Sequence, residues 1–292
     1  MTLFEGKNGR FQSLLQAVDN SDISSIKSVV SGIVRIINDP RSTVKELKEL
    51  IEKDPPLTAR LLRIANSAFY SLQRKVSEIE QAIVLIGFDE LKELALNQKV
   101  CELFAKGDRV EGYSRPLLWK HSVAVALLSK MIYRKEFGLK GDNMYAAGLL
   151  HDLGIVVEDQ FLRLQFADIM KTVREGGRNL ADAETSVLGF HHAEVCGALL
   201  DHWNFPGEFV FSIAFHHSGF EKPQDFTSMV LTLYAANHVC QEHGIGYSDT
   251  PLRDDEAYRR CLNTLGINET SVDVITVDLK KEMARVESRG LF

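Results

Sequence analysis

The histidines of this chain are unevenly distributed, because all nine of them follow residue 120. Imidazole is the commonest protein ligand for zinc, iron, nickel and manganese ions, and a carboxylate often joins it. Three adjacent pairs of such residues lie in the second half of the chain: His151-Asp152, His191-His192 and His216-His217. Together they predict a metal centre there, although each pair taken alone is more typical of structural residues.

The sequence around these pairs indicates how they are presented. His151-Asp152 ends the apolar segment AAGLLHDLG, and His216-His217 ends FVFSIAFHHSG in the same way. Neighbours on a helix point about 100° apart, so two adjacent histidines could serve two metal ions, or one ion and a substrate. An aspartate could bind one ion or bridge two. His121 lies in the apolar segment LLWKHSVAVALLSKMIY, where a lone histidine is more often a core residue. We predict structural roles for His202, His238 and His243.

The elements that must position these residues are predicted to be helices, because apolar residues recur at helical spacing along almost the whole chain. Two capping boxes are predicted, Thr43 with Glu46 and Ser77 with Glu80, each ahead of an apolar helical run. Only VDVITVD (272–278) has the β-branched content of a strand, and it is too isolated to form a sheet. The pattern therefore predicts an all-α fold.

The best internal boundary is the segment KGDRVEG (106–112), which separates a region without histidine from the histidine-rich one. We predict four parts. They are an N-terminal helical extension (1–24), an N-terminal helical part of the main domain (25–110), a helical core that carries the histidine cluster (111–246) and a C-terminal helical extension (247–292).

Composition excludes several classes of protein. The 292 residues include 34 Lys and Arg against 40 Asp and Glu, and this net charge of -6 makes nucleic acid an unlikely partner. No apolar run approaches the roughly 18 residues of a transmembrane helix, and MTLFEGKNGR lacks the pattern of a secretory signal. The four cysteines form no CxxC motif, which is typical of free thiols in a reducing compartment. We therefore expect a cytoplasmic protein without membrane contact.

Several stretches carry the motifs of a known family: DPPLTARLLRIANSAFYSLQRKVSEIEQAIVLIGFDELKELAL (54–96), LWKHSVAVA (118–126), AAGLLHDLGIVV (146–157), ETSVLGFHHAEVCGALLDHWNFP (184–206) and AFHHSG (214–219). The order His, His-Asp, His and His-His, with spacings of about 30, 40 and 25 residues, resembles the HD metal-dependent phosphohydrolase superfamily. The ANSAFY and IEQAIVLIG motifs resemble, more closely, the HDOD family, the HD-related output domain of bacteria. The resemblance covers roughly residues 20–245.

This resemblance implies a multi-helical, HD-domain-like core with an N-terminal helical subdomain. It also implies one or two divalent transition-metal ions (Fe, Mn, Zn or Ni). Asp152 would be the catalytic residue if the protein is active. His192 is preferred to His191 because HAEV, the following LL and WNFP align on it. By position, the family's metal ligands fall on His121, His151, Asp152, His192, His216 and His217.

The sequence departs from the pattern of the active enzymes at several positions. Asn237 stands where those enzymes have a final aspartate, so it would be a weak ligand or the partner of a ligand. Ile155 replaces a lysine of the cyclic-dinucleotide phosphodiesterases, Leu117 replaces a glutamate, and SGFEKPQDF (218–226) replaces their Gly-Tyr-Pro signature. Cys196 replaces a usual glycine. Positively charged side chains and metal ions supply most of the stabilisation of the transition state in phosphoryl transfer. The loss of the charged groups at positions 117, 155 and 237 therefore argues against efficient hydrolysis.

Three functions are open at this point. The favoured one is a regulatory output protein of bacterial signal transduction, with a metal-binding core and little or no phosphohydrolase activity. Its partner would be a signalling protein, a nucleotide is a candidate ligand, and self-association is an option. The alternative is a metal-dependent phosphohydrolase acting on a nucleotide or cyclic dinucleotide. The third is an interaction protein whose histidines bind nothing.

Overall fold

The computed structural model describes residue 4 and residues 7–70, 75–105, 107, 110, 112–176, 178–218, 227–248 and 255–288. Within these ranges the regular structure is entirely helical, which confirms the predicted all-α fold. The helices are α1 (Gly9–Asp19), α2 (Asp22–Ser25), α3 (Lys27–Asn38), α4 (Val44–Glu52), α5 (Pro55–Ala65), α6 (Ile79–Ile86), α7 (Phe88–Phe104), α8 (Arg115–Glu136), α9 (Asp142–Leu150), α10 (Leu153–Phe161), α11 (Arg163–Glu175), α12 (Leu180–Leu188), α13 (His192–His202), α14 (Gly207–Ala214), α15 (Thr227–Glu242), α16 (Asp255–Leu265) and α17 (Glu269–Ser288).

Local signals explain where several helices begin. The predicted capping box at α4 is confirmed, since the Thr43 side chain accepts from the backbone N–H of Glu46 and the Glu46 carboxylate accepts from that of Thr43. The predicted box of Ser77 is wrong. Its backbone N–H donates instead to Gln81 Oε1 over 3.2 Å, and α6 begins one residue later than a Ser77 cap requires.

The VDVITVD segment, with its strand-like composition, lies inside α17. Three of its residues, including Val272 and Ile275, are buried on one face of this helix. Packing of that face against the core therefore outweighs the local β-propensity, as tertiary contacts commonly do.

Helix α8 is the centre of the packing, because it contacts α7, α9, α15 and α17. Gly148 allows α9 to approach closely, since a Cβ at that position would lie 2.6 Å from Ala126 Cα of α8. Helices α13 and α14 pack together beside this pair, and α10 packs on α13. The N-terminal helices α3 to α7 form a neighbouring layer that contacts the core through α7 and α9.

The buried hydrophobic side chains of the N-terminal layer and of the helical core around α8 form one continuous cluster. The four-part division of the chain stays a prediction, and much of its central boundary segment, 106–112, lies outside the described residues. Among the described helices, none combines the length and the apolar character needed to cross a bilayer.

Candidate metal centre

The residues expected to bind metal come from separate elements and converge in the core. His121 lies in the middle of α8, His151 and Asp152 form the connection between α9 and α10, and His192 is the first residue of α13. His216 and His217 follow α14 directly. Five of these six residues are at most 3% exposed, and His217 is partly exposed.

The ligand atoms fall into two groups that share Asp152. One group contains Asp152, His192, His216 and His217, and the other contains His121, His151 and Asp152. Within each group the candidate ligand atoms lie within 4.8 Å of one another. A carboxylate has two oxygens that can bind different ions. The arrangement is therefore compatible with two metal ions bridged by Asp152.

Asp152 faces the Nε2 atoms of four histidines. Its Oδ2 lies 3.1 Å from His151 Nε2 and 3.6 Å from His121 Nε2. Its Oδ1 lies 3.5 Å from His192 Nε2 and 3.6 Å from His216 Nε2. These distances leave the carboxylate at the centre of the cluster, with imidazoles on both sides.

Backbone carbonyls determine which nitrogen of two of these rings faces Asp152. His151 Nδ1 donates to Gly148 O and His216 Nδ1 donates to Ile213 O, both over 2.7 Å. A neutral imidazole that donates from Nδ1 carries a lone pair on Nε2. The Nε2 atoms of both rings are buried without a hydrogen-bond partner among the described residues. This orientation is the one that a metal-binding histidine requires.

The electrostatics of the cluster also suit a cation. Burial opposes ionisation of Asp152, but the surrounding histidines, His151 above all, hold its pKa well below the usual range. Burial lowers the pKa of His121 to about 4 and holds the pKa values of His216 and His217 well below their usual range. At neutral pH an ionised carboxylate therefore faces the neutral rings of His121 and His216. Uncompensated acceptors in such a buried site are costly.

A divalent ion would remove that cost, so the residues present fit a metal site. The donor set combines imidazoles with one carboxylate, a combination that suits iron, manganese, zinc or nickel. Hydrogen bonds from the far side of a ligating ring, as His151 and His216 make to carbonyls, are typical of metal-binding histidines.

Asn237 of α15 contacts a candidate ligand. Its Oδ1 lies 2.9 Å from His121 Nε2 in the buried core. The amide is thus a partner of His121 in this state, one of the two roles considered for it. Of the adjacent histidines, His192 rather than His191 belongs to the cluster.

The three histidines predicted to be structural lie outside the two ligand groups. His202 Nε2 lies 3.0 Å from an oxygen of Asp19, His238 stacks on Tyr258 with ring centroids 4.3 Å apart, and His243 Nδ1 donates to the backbone over 3.0 Å.

Glu184 was not among the residues predicted from the sequence. This residue of α12 is fully buried, and its Oε2 accepts from both the backbone N–H and Nδ1 of His192. A signal was available, because Glu184 is an acidic residue eight positions before His192 in a stretch with few charges. Gly154 of α10 was also missed, and it contacts the His192 backbone so closely that a Cβ would lie 2.0 Å from the carbonyl oxygen.

The positions that depart from the active enzymes differ in their surroundings. Ile155 is 1% exposed and belongs to the apolar core, so no charged group takes its place one turn after Asp152. Leu117 is 48% exposed. The substituted Gly-Tyr-Pro segment, residues 218–226, lies outside the described residues except for Ser218.

Three solved structures resemble this fold. An HDOD domain protein of unknown function from Geobacter sulfurreducens has a TM-score of 0.76 and 28% identity, and the match covers 97% of this chain and 98% of that one. A candidate signal transduction protein from Marinobacter aquaeolei VT8 has a TM-score of 0.76 and 17% identity, over 97% and 64% of the two chains. A candidate phosphohydrolase from Shewanella amazonensis SB2B has a TM-score of 0.67 and 21% identity, over 97% and 96%. The last two show similarity of fold alone.

The curated relatives with similar sequences are longer proteins. The chain spans at most 42% of the length of each of those it matches, at 26–28% identity. The model of the HDOD domain matches residues 23–219, about two thirds of the chain, and these residues include the five histidines and the aspartate proposed as metal ligands. The chain therefore belongs to the HDOD domain family.

Proposed function

We propose that this chain is a regulatory output domain that binds one or two divalent transition-metal ions and has little or no phosphohydrolase activity. The observation that carries the proposal is the surroundings of Asp152. Within the described part of the chain its ion pairs are all with histidines, and no lysine or arginine contacts it. A bound metal would supply Lewis acidity and an acidified water, but phosphoryl transfer also needs positive groups around the phosphate.

Two further features support a binding role over turnover. The residue one turn after Asp152 is Ile155, which is buried among apolar side chains and offers no charge to a phosphate. The Asn237 amide, which replaces a carboxylate of active enzymes, is engaged by His121. Resident ions and partner proteins suit such a site better than a polyanionic substrate does.

The alternative function, hydrolysis of a nucleotide or cyclic dinucleotide, is favoured by one observation. Asp152 belongs to both ligand groups, and two bridged ions are a recurring arrangement in enzymes that cleave phosphoesters. In that case Asp152 would hold both ions, and the partly exposed His217 would be the ligand nearest to an entering substrate.

The deciding experiment combines metal analysis with hydrolysis assays on untagged protein. Elemental analysis should give one to two equivalents of metal, with loss in His121→Ala and Asp152→Ala. With iron, manganese, zinc or nickel added, release of p-nitrophenol from bis(p-nitrophenyl) phosphate and cleavage of cyclic dinucleotides should stay at the level of Asp152→Ala. Metal-dependent hydrolysis that Asp152→Ala abolishes would establish the alternative. A metal-free wild type, with both variants folded, would overturn both functions.

The regulatory part of the proposal concerns a protein partner. We expect the partner to distinguish metal-loaded from metal-free protein, because the ligands come from several helices and an ion alters how these pack. Pull-down with loaded wild type and with Asp152→Ala should give different retained proteins. Identical sets would contradict a role for the metal in partner binding.

A further inference from the structure

We propose that Glu184 is a positioning residue. It fixes the Nδ1–H tautomer and the orientation of His192, so that Nε2 of this ring is presented to Asp152. The proposal rests on the metal centre proposed above, because positioning matters for function only if His192 binds an ion. It concerns a contact that neither the sequence motifs nor the family pattern assigned.

Glu184 makes two hydrogen bonds to His192. Glu184 Oε2 accepts from the His192 backbone N–H over 2.9 Å and lies 2.7 Å from Nδ1 of the same residue. The backbone bond anchors the start of α13, where a free N–H is otherwise left without a partner. The ring bond requires a proton on Nδ1, since a carboxylate only accepts. One oxygen therefore determines both the position and the tautomer of His192.

The carboxyl group of Glu158 is close enough to that of Glu184 for the two to interact. Both residues are fully buried. Both oxygens of Glu158 and Oε1 of Glu184 have no hydrogen-bond partner among the described residues. Burial, followed by the charge of Glu184, raises the pKa of Glu158 well above its usual range. A protonated Glu158 can donate to Oε1 of Glu184, which leaves Oε2 to His192.

Without Glu184, His192 has another stable arrangement. Its Nε2 lies 2.8 Å from His217 Nε2 and 3.5 Å from Asp152 Oδ1. A proton on Nε2 could then bond to either neighbour, and this proton would occupy the lone pair that a metal needs. Glu184 excludes that arrangement by keeping the proton on Nδ1. Carboxylate partners of metal-bound histidines contribute about 10–100-fold to metal affinity in other sites.

The first test uses metal-free protein and does not depend on metal binding. Long-range ¹H–¹⁵N correlation on protein with ¹⁵N-labelled histidine reports the tautomer of each ring, with His192→Gln identifying the signal. In the wild type His192 should be protonated at Nδ1. In Glu184→Ala it should shift toward Nε2 or a mixture. A mainly Nδ1–H ring in Glu184→Ala would overturn the proposal.

The second test measures affinity for Co²⁺ by titration of its visible absorption. Glu184→Ala should bind Co²⁺ about 10–100-fold more weakly, and Glu184→Gln, which keeps one acceptor oxygen, should recover part of the loss. The matched control is Glu194→Gln, which alters a carboxylate of α13 that bonds to the His191 backbone and not to the His192 ring. Its affinity should stay within about twofold of the wild type.

The outcomes separate the two proposals. If the wild type itself binds no Co²⁺ or other transition metal, the proposed metal centre is refuted. The tautomer measurement alone then decides whether Glu184 orients His192. If the wild type binds Co²⁺ and Glu184→Ala binds it equally well, the positioning role is refuted. If Glu184→Ala does not fold, Glu184→Leu, which also removes both acceptor oxygens, carries both measurements, and wild-type tautomer and affinity in it would refute the role.

Discussion

Gly154 gives a sharp test of how the metal centre depends on helix packing. It is the second residue of α10, and a Cβ there would lie 2.0 Å from His192 O, 2.7 Å from its carbonyl carbon and 3.0 Å from its Cα. These are backbone atoms at the start of α13, so no side chain can rotate to make room. Since carbon and oxygen contact at roughly 3.3 Å, Gly154→Ala requires α10 and α13 to separate locally by about 1 Å.

This displacement should weaken both stability and metal affinity. Overpacking of a tight interface costs about 1–3 kcal/mol, and the higher helix propensity of alanine offsets at most about 1 kcal/mol of it. The ligand geometry of a metal site tolerates errors of only about 0.2 Å. A shift of about 1 Å at His192 removes it from that tolerance, and we expect affinity for Co²⁺ to fall at least tenfold.

The matched control is Gly207→Ala. Gly207 is the first residue of α14, and a Cβ there would contact nothing within 4 Å. In urea denaturation of metal-free protein, the free energy of unfolding of Gly207→Ala should lie within about 0.5 kcal/mol of the wild-type value. The free energy of unfolding of Gly154→Ala should lie clearly below both. Equal midpoints and equal Co²⁺ affinities for the two variants would refute the packing argument.

Three further predictions follow from the same structure. Metal at 100 times its dissociation constant should stabilise the fold by about 2.7 kcal/mol, or about 5–10 °C in Tm; calorimetry should show this shift and its absence in Asp152→Ala. The raised pKa of Glu158 means that the native state holds a proton that the unfolded chain releases above 4.5, so this group makes stability fall as pH rises from there, while the lowered pKa values of His121, His216 and His217 act in the opposite sense below about 6.5. Glu158→Gln should flatten that slope in urea titrations at pH 5 and 8, and an unchanged slope would contradict the assignment. Lys7→Ala removes a partly exposed ion pair with Glu194 and should cost about 0.2–1 kcal/mol, less at high salt.

The helical fold could be predicted because its signals are periodic, and the residues that converge on Asp152 could be predicted from their positions in the family's motifs. Apolar spacing identifies helices wherever one face is buried. His151-Asp152 and His216-His217 are adjacent in sequence and end apolar helices, but each pair alone is more typical of structural residues, and only the combined pattern indicates a shared site. The structure brings them together with Asp152 between the rings.

Other features depend on contacts that no local pattern contains. The sequence at Ser77 is typical of a helix cap, but the Ser77 backbone N–H donates a hydrogen bond to the side chain of Gln81 and not to that of Glu80. Glu184 and Glu158 lie 26 positions apart, and only the packing of α10 and α12 around His192 places both carboxyls in the same buried region. Gly154 looks like a simple turn residue after His151-Asp152, yet its role is to admit the backbone of α13.

The burial of the ligands bears on what the metal would do. Five of the six candidate ligands are almost completely enclosed, and they come from α8, the α9–α10 connection, α13 and the end of α14. An ion held by these elements would link helices that otherwise meet mainly through apolar contacts, so its free energy of binding would be coupled to their packing. A phosphoester substrate, in contrast, would have to reach Asp152, a residue that is 3% exposed and surrounded by imidazole rings. Under the proposed function, the geometry that suits a resident ion would therefore disfavour turnover, and metal occupancy would alter the surfaces offered to a partner protein.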